Sequence, residues 1–361
     1  MLTLLLIGAL GLVFDVGFVG AGGTIYIRAD GSVEGTNKIQ RDGDVYTFTG
    51  NIFDEIVVER SNIIIDGDGY TLQGSGSGIG FYWYDINNVT IQNTIIKNFF
   101  WGVYLDSSSF NTISVNTIRN NFEGISLYES SNNSICGNDI MNNDVDGISL
   151  WDSSNDNNIY GNHITDNEDG IWLISSSNNS IYRNDITANK LDGIWLASSS
   201  NNSIHENHIT ANKEYGILLF ESSNNTIYHN NLIDNMVQAN VTSGYVNTWD
   251  NGCEGNYWSN YTGTDADGDG IGDDSHPIDA FNQDNYPLMS PYMVGDINHD
   301  GTVDINDLAT LDEAYGSQPG DSNWNCHCDI TGPVENPERS GLYPPDEVVD
   351  VYDLATVGKS Y

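Results

Sequence analysis

The sequence predicts an all-β solenoid, a parallel β-helix with coils of about 23 residues, followed by a small helical calcium-binding module. Three observations predict it. A Gly-apolar-x-apolar unit recurs from Gly80-Phe81-Tyr82-Trp83 to Gly216-Ile217-Leu218-Leu219 at steps of 22 or 23 residues. A second register runs beside it, with Ile113, Ile135, Ile159, Ile181, Ile204 and Ile227 each five residues before Ile118, Ile140, Ile164, Ile186, Ile209 and Leu232. Beyond the repeats, a twelve-residue run from Asp296 to Asp307 has oxygen donors at loop positions 1, 3, 5, 9 and 12.

The chain begins with an apolar run, Leu2–Phe14, too short to span a bilayer, followed by the small residues Val19-Gly20-Ala21. Residues 1–21 therefore read as a secretory signal, with no membrane span in the mature chain and a secreted or cell-surface location. Residues 22–76 form an N-terminal cap and first coils, 77–244 the repeats, and 245–292 a closing cap, where the period breaks and Gly and Asp accumulate.

Within each repeat, short alternating β segments are separated by Ser/Asn turns, and helical periodicity is absent. One repeat cannot bury its apolar face alone; stacking gives every strand two neighbours and makes the core continuous. Seven coils at roughly 4.8 Å each give a rod of roughly 35 Å before its caps. Asn116, Asn138, Asn162, Asn184, Asn207 and Asn230 hold one equivalent position, and Asn121, Asn143, Asn167, Asn189, Asn212 and Asn235 another. Both series read as structural amide ladders. The recurrent glycine reads as a turn position hostile to a Cβ.

Residues 23–292 resemble the right-handed parallel β-helix family that includes the NosD-like proteins and the carbohydrate-binding and sugar-hydrolase repeats. The likeness rests on Thr24–Gly31, Asn62–Tyr70, Trp249-Asp250-Asn251, Gly255–Ser259 and Tyr286–Met289. It implies a fold and leaves function open, because the same solenoid carries lyases, epimerases, adhesins and spacers. The copper role linked to NosD-like proteins finds no support in spacing: seven His and five Met form no clustered soft-ligand motif.

Composition narrows the partners. With 51 acidic and 11 basic residues the formal charge is −40, so nucleic acid is repelled and divalent cations are the natural counterions. The loop Asp296–Asp307 has Gly301 where the turn is sharpest, Thr302 to offer its carbonyl, and donors Asp296, Asn298, Asp300, Asp304 and Asp307. With Asp307 last and Leu308-Ala309-Thr310-Leu311 after it, the loop resembles a dockerin repeat. An altered second copy supplies Asp329, Thr331, Asp346, Asp350 and Asp353. That resemblance covers residues 293–361 and implies Ca2+ held in an α-helical EF-hand-type domain that binds a cohesin-like receptor or self-associates. A third calcium loop is expected from the alternating Asp265, Asp267, Asp269 and Asp273.

A ligand face is expected on one column of the coils. Trp172 and Trp195 stand one coil apart at the outward place of the repeat, beside an acidic column of Glu123, Asp146, Asp169 and Asp192. Exposed aromatics beside carboxylates suit polysaccharide, although such ladders also stabilise β-helices by stacking alone. A second column, Tyr160, Tyr182, His205 and Tyr228, has His163 and His208 nearby. Basic residues for stabilising an anion are few, so the reading is non-enzymatic glycan binding or surface structure. A lyase, hydrolase or epimerase and a self-assembling filament subunit are the alternatives. Seven Asn-x-Ser/Thr sequons, from Asn88 to Asn260, are either glycan acceptors or products of the turn consensus. Cys136, Cys253, Cys326 and Cys328 leave their pairing open.

Overall fold

The computed structural model describes residues 23–242 and 244–328, together with Val349, Asp353 and Val357. The expected signal segment and the ligands Asp329, Thr331, Asp346 and Asp350 lie outside the described residues.

The chain winds into a parallel β-solenoid with three sheets of eleven, ten and nine strands along its length. Each coil gives one short strand to each sheet, and the register is that of the repeat. Ile125, Ile148, Ile171, Ile194 and Ile217 pair successively in the first sheet. Ile135, Ile159, Ile181, Ile204 and Ile227 do so in the second, and Ile140, Ile164, Ile186, Ile209 and Leu232 in the third. All fifteen are fully buried, so the interior is a stack of nearly identical aliphatic layers. β-Branched residues fill it because they suit the pleated backbone and lose little rotamer freedom there.

The recurrent glycine answers to a different need from the one expected. Gly124 lies inside a six-residue strand, Glu123–Tyr128. A Cβ on Gly170 would stand 2.5 Å from the carbonyl oxygen of Gly193 and 2.7 Å from Ile186 Cγ2. The close approach of the next coil excludes a side chain, and no left-handed backbone is involved.

Asparagine ladders hold the turns. The backbone N–H and the side-chain amide of Asn162 both donate to Asn184 Oδ1, at 3.0 and 2.9 Å, and Asn162 Nδ2 also donates to the Ile135 carbonyl at 2.9 Å. Asn121 to Asn235 repeat this pattern. A third ladder runs from Asn111 through Asn133, Asn157, Asn179, Asn202 and Asn225 to Asn247. Buried turn donors and acceptors thereby find partners that water cannot supply.

At the N-terminal end an antiparallel hairpin, Ile39–Asp42 with Val45–Phe48, lays Tyr46 and Phe48 over the core. At the other end the last strand of the first sheet, Val237–Val241, and the closing segment terminate the ladders. Asn282 receives the N–H of Asn247, Asp284 that of Asn256, and Gln238 the side-chain amide of Asn235. Trp249 and Trp258 seal the last coil.

Helix α1, Ile305–Ala314, follows this cap, opened by a capping box between Asp304 and Asp307. It belongs to a second small core of Ile297, Leu311, Ala314, Cys328, Val349 and Val357. Residues of both expected loop copies thus share one core.

Candidate functional site: the outer face and the C-terminal junction

On the first sheet the expected columns stand together in register. Trp172 pairs with Trp195, and their rings stack at 4.9 Å. Trp151 meets Trp172 edge-on at 4.8 Å, while Tyr82, Tyr104 and Trp101 form a separate cluster. Both tryptophans, expected to be exposed, are half-buried, each ring covering its neighbour.

The acidic column is a larger departure. Glu123, Asp146, Asp169 and Asp192 are 8, 0, 5 and 4 % exposed, so no open row of carboxylates lines this face. Glu123 accepts from Trp101 Nε1 at 3.2 Å and from Ser149 Oγ at 3.0 Å. Asp169 receives the Asp192 N–H and Asp192 the Tyr215 N–H, at 2.8 and 3.0 Å. Burial pushes all four carboxyls up, Asp169 to about 7 and Asp192 to about 6. Each carboxylate stands two residues before a buried isoleucine, Ile125, Ile148, Ile171 or Ile194, so strand alternation itself turns the column to the inward side.

The second column is a true ladder. Tyr160, Tyr182, His205 and Tyr228 stack at 5.0 to 5.2 Å, and Glu206 beside them pairs with Arg183 at 2.5 Å. His163 bonds the Asp185 carboxylate at 2.9 Å.

The expected calcium loops lie at the C-terminal end. Carboxylate oxygens of Asp265, Asp267 and Asp269 converge within 4.8 Å of one another. Asp265 accepts the N–H groups of Gly268 and Gly270, at 2.6 and 2.9 Å, and these hold its carboxyl below the usual range. The Asp269 charge raises its exposed neighbour Asp267. Asp273 turns its carboxylate to the Ala266 N–H at 2.8 Å.

In the next loop Asp296 accepts from the Asp300 and Gly301 N–H groups, and Asp300 from Thr302 N and Oγ1. Asn298 Nδ2 donates to Asp300 at 3.1 Å. Asp307 is buried, taking the Ile297, Asn298 and Asp304 N–H groups. Of the second copy, Asp353 is described and is buried.

Sequence reading missed a further cluster at this junction. Glu254, 5 % exposed, meets three histidines. His229 Nε2 lies 2.5 Å from Glu254 Oε2, His299 Nε2 lies 3.1 Å from Oε1, and His327 Nδ1 also contacts Oε1. His299 Nε2 and His327 Nδ1 are 3.3 Å apart. Burial opposes ionisation of Glu254, yet the histidines, led by His229, hold its carboxyl well below the usual range. The group is assembled across 45 and 73 residues, so spacing gives no sign of it. The one sequence signal is the adjacency of Cys253-Glu254 and Cys326-His327. Cys253 and Cys326 form a disulfide across 73 residues, which resolves the pairing; Cys136 and Cys328 are free.

Fold and sites together describe a β-solenoid whose C-terminal end gathers carboxylate and imidazole side chains close enough to share one ion. The chain belongs to the NosD family: the model described as periplasmic copper-binding protein (NosD) matches residues 26–168 and again 61–263. Comparison with curated proteins finds no match.

Solved structures are similar to part of the chain. The periplasmic alginate epimerase AlgG has a TM-score of 0.45 and 17 % identity, covering 62 % of this chain and 82 % of its own. Dettilon tailspike protein has a TM-score of 0.47 and 15 % identity, covering 66 and 57 %. The Azotobacter vinelandii mannuronan C-5 epimerase AlgE4 A-module has a TM-score of 0.34 and 17 % identity, covering 54 and 64 %. Among the described residues no helix is long and apolar enough to cross a membrane.

Proposed function

We propose that this chain is an extracytoplasmic calcium-binding β-solenoid that presents an aromatic face to polysaccharide and is anchored through residues 293–361. The observation that carries the calcium reading is the convergence of Asp265, Asp267 and Asp269. Their mutual repulsion raises Asp267, and a hard divalent cation relieves it. The loop Asp296–Asp307 supports the same reading. Its first and fifth residues are pre-folded by backbone donors, and Gly301 adopts φ 84° at the sharp turn. Val349 and Val357 in a common core with Leu311 support a two-loop domain of dockerin type, to be met by a cohesin-like receptor or a second copy.

The stacked Trp172 and Trp195 support carbohydrate contact on the first sheet. Burial of the four neighbouring carboxylates supports a binding surface over a catalytic cleft, because acid–base chemistry needs carboxylates that reach the substrate.

The decisive experiment is calorimetric calcium titration of the mature protein with thermal melting, followed by a polysaccharide screen in the calcium-loaded state. Multi-site binding with a raised melting temperature is expected, as is glycan binding lost in Trp172→Ala with Trp195→Ala. Absence of calcium binding overturns the calcium and anchoring readings. Glycan binding unchanged by the double variant overturns the face, and release of unsaturated sugar ends establishes a lyase instead.

A further inference from the structure

We infer that Glu254, His299 and His327 form a binding site for one divalent transition ion of the zinc–copper class, with donor atoms that the calcium loops do not use. Three features of the junction point to it. First, the three donor atoms face one another in a nearly dry setting, their side chains being 7, 5 and 18 % exposed. Second, two of the three donor spacings match the edges of a coordination polyhedron, while His327 Nδ1 and Glu254 Oε1 are in direct hydrogen-bond contact that an ion would open. Bonds of about 2.0–2.1 Å in a tetrahedron put adjacent ligand atoms about 3.4 Å apart. The His299 Nε2 to His327 Nδ1 distance is 3.3 Å, and that from His299 Nε2 to Glu254 Oε1 is 3.1 Å. Third, the donors are oriented from outside. His229 binds the other carboxylate oxygen at 2.5 Å and is itself held by Tyr292, stacked on its ring at 4.0 Å. Outer partners of this kind fix the direction of a metal-bound carboxylate.

The scaffold is equally specific. Glu254 follows Cys253 and His327 follows Cys326, so the disulfide fixes the two donors relative to each other. His299 occupies the fourth place of the loop Asp296–Asp307, a place that supplies no side chain to calcium, and turns inward. Gly270 of the Asp-rich loop packs so closely on His299 that a Cβ there would lie 2.3 Å from the histidine Cβ. Two imidazole nitrogens and one carboxylate oxygen suit Zn2+ or Cu2+; calcium and magnesium prefer oxygen donors alone. The NosD family's description names copper, but His299 and His327 lie beyond the residues its model matches, so the site belongs to this chain's own junction. Spacing alone counted against copper; the fold brings together histidines that the sequence disperses.

The alternative is a carboxylate solvated by imidazole N–H groups, which needs no metal. The test uses the full mature protein, disulfide intact, saturated with calcium and stripped of transition metals. Titration with Co2+ is expected to give one equivalent of visible d–d absorption, displaced by Zn2+. One equivalent of Cu2+ is expected to show nitrogen hyperfine coupling in electron paramagnetic resonance. Glu254→Gln, His299→Ala and His327→Ala should each abolish the Co2+ spectrum, and calcium binding should stay unchanged in Glu254→Gln and His327→Ala. His229→Ala should weaken Co2+ by about 10- to 100-fold. The exposed His163→Ala serves as the control. Should His299→Ala fail to fold, His327→Ala decides, since its ring is less buried. No stoichiometric spectrum, or one that survives both histidine variants, overturns the site. Because calcium is saturating throughout, failure here leaves the calcium reading to its own titration.

Discussion

The coil stack and the C-terminal junction are held together in opposite ways. In the stack each coil repeats the interactions of its neighbours: an aliphatic layer, three asparagine rungs and one glycine contact, between residues 22 to 27 apart in the chain. Redundancy makes it strong, and no single coil is indispensable to the pattern. In the junction nothing repeats. Its bonds join residues 45, 61 and 73 apart, and it concentrates a disulfide, three histidines, a buried glutamate and two Asp-rich loops. Regular stacking yields a uniform scaffold; the irregular junction brings unlike side chains to one point.

Three measurements break or sharpen that contrast. The largest effect is expected from Cys253→Ser with Cys326→Ser. The bridge closes a loop across 73 residues, for which chain entropy gives about 4 kcal/mol. Calorimetry should show a C-terminal transition moved down while the main transition of the coils stays in place. A single transition moving as a whole would show that the two regions unfold as one.

Next is Asn184→Ala in the middle of a ladder. It leaves the N–H and the side-chain amide of Asn162 without their shared acceptor in a buried turn, costing about 3 kcal/mol. The loss should appear in the main transition alone. A change below about 0.5 kcal/mol would show that the rungs next to it re-form around the gap.

The smallest effect concerns pH. Burial raises the folded pKa of Asp169 to about 7 and of Asp192 to about 6, from 3.8. The folded state therefore holds protons that the unfolded state has released. Their contribution to stability is fully present below about pH 4 and is lost as pH rises through 6 and 7. Melting curves of the calcium-loaded protein from pH 5 to 8 should show this decline in the coils. Asp169→Asn with Asp192→Asn, which keeps an oxygen for each backbone N–H, should flatten it. An unchanged slope in that variant would place the titrating groups elsewhere.

Legibility followed the same division. Sheet register, the buried isoleucines and two asparagine ladders were readable because stacking converts a period in the chain into a neighbour in space. The third ladder hid inside the Ser/Asn turns, whose composition masked its period. Alternation along a strand tells inward from outward, and it puts the residue before each recurrent glycine on the side of the buried isoleucine two places on. Glu123, Asp146, Asp169 and Asp192, expected in the open beside the tryptophans, stand on that inward side and lie buried.

The sequence by itself determined the solenoid, its coil length and the loops with calcium spacing, since each is a pattern among residues close along the chain. Tertiary structure alone decided that Cys253 pairs with Cys326, and that Glu254 gathers His229, His299 and His327. No period relates these residues. They meet because the cap folds back across the last coil, and the distance along the chain between such partners carries no trace of their distance in space.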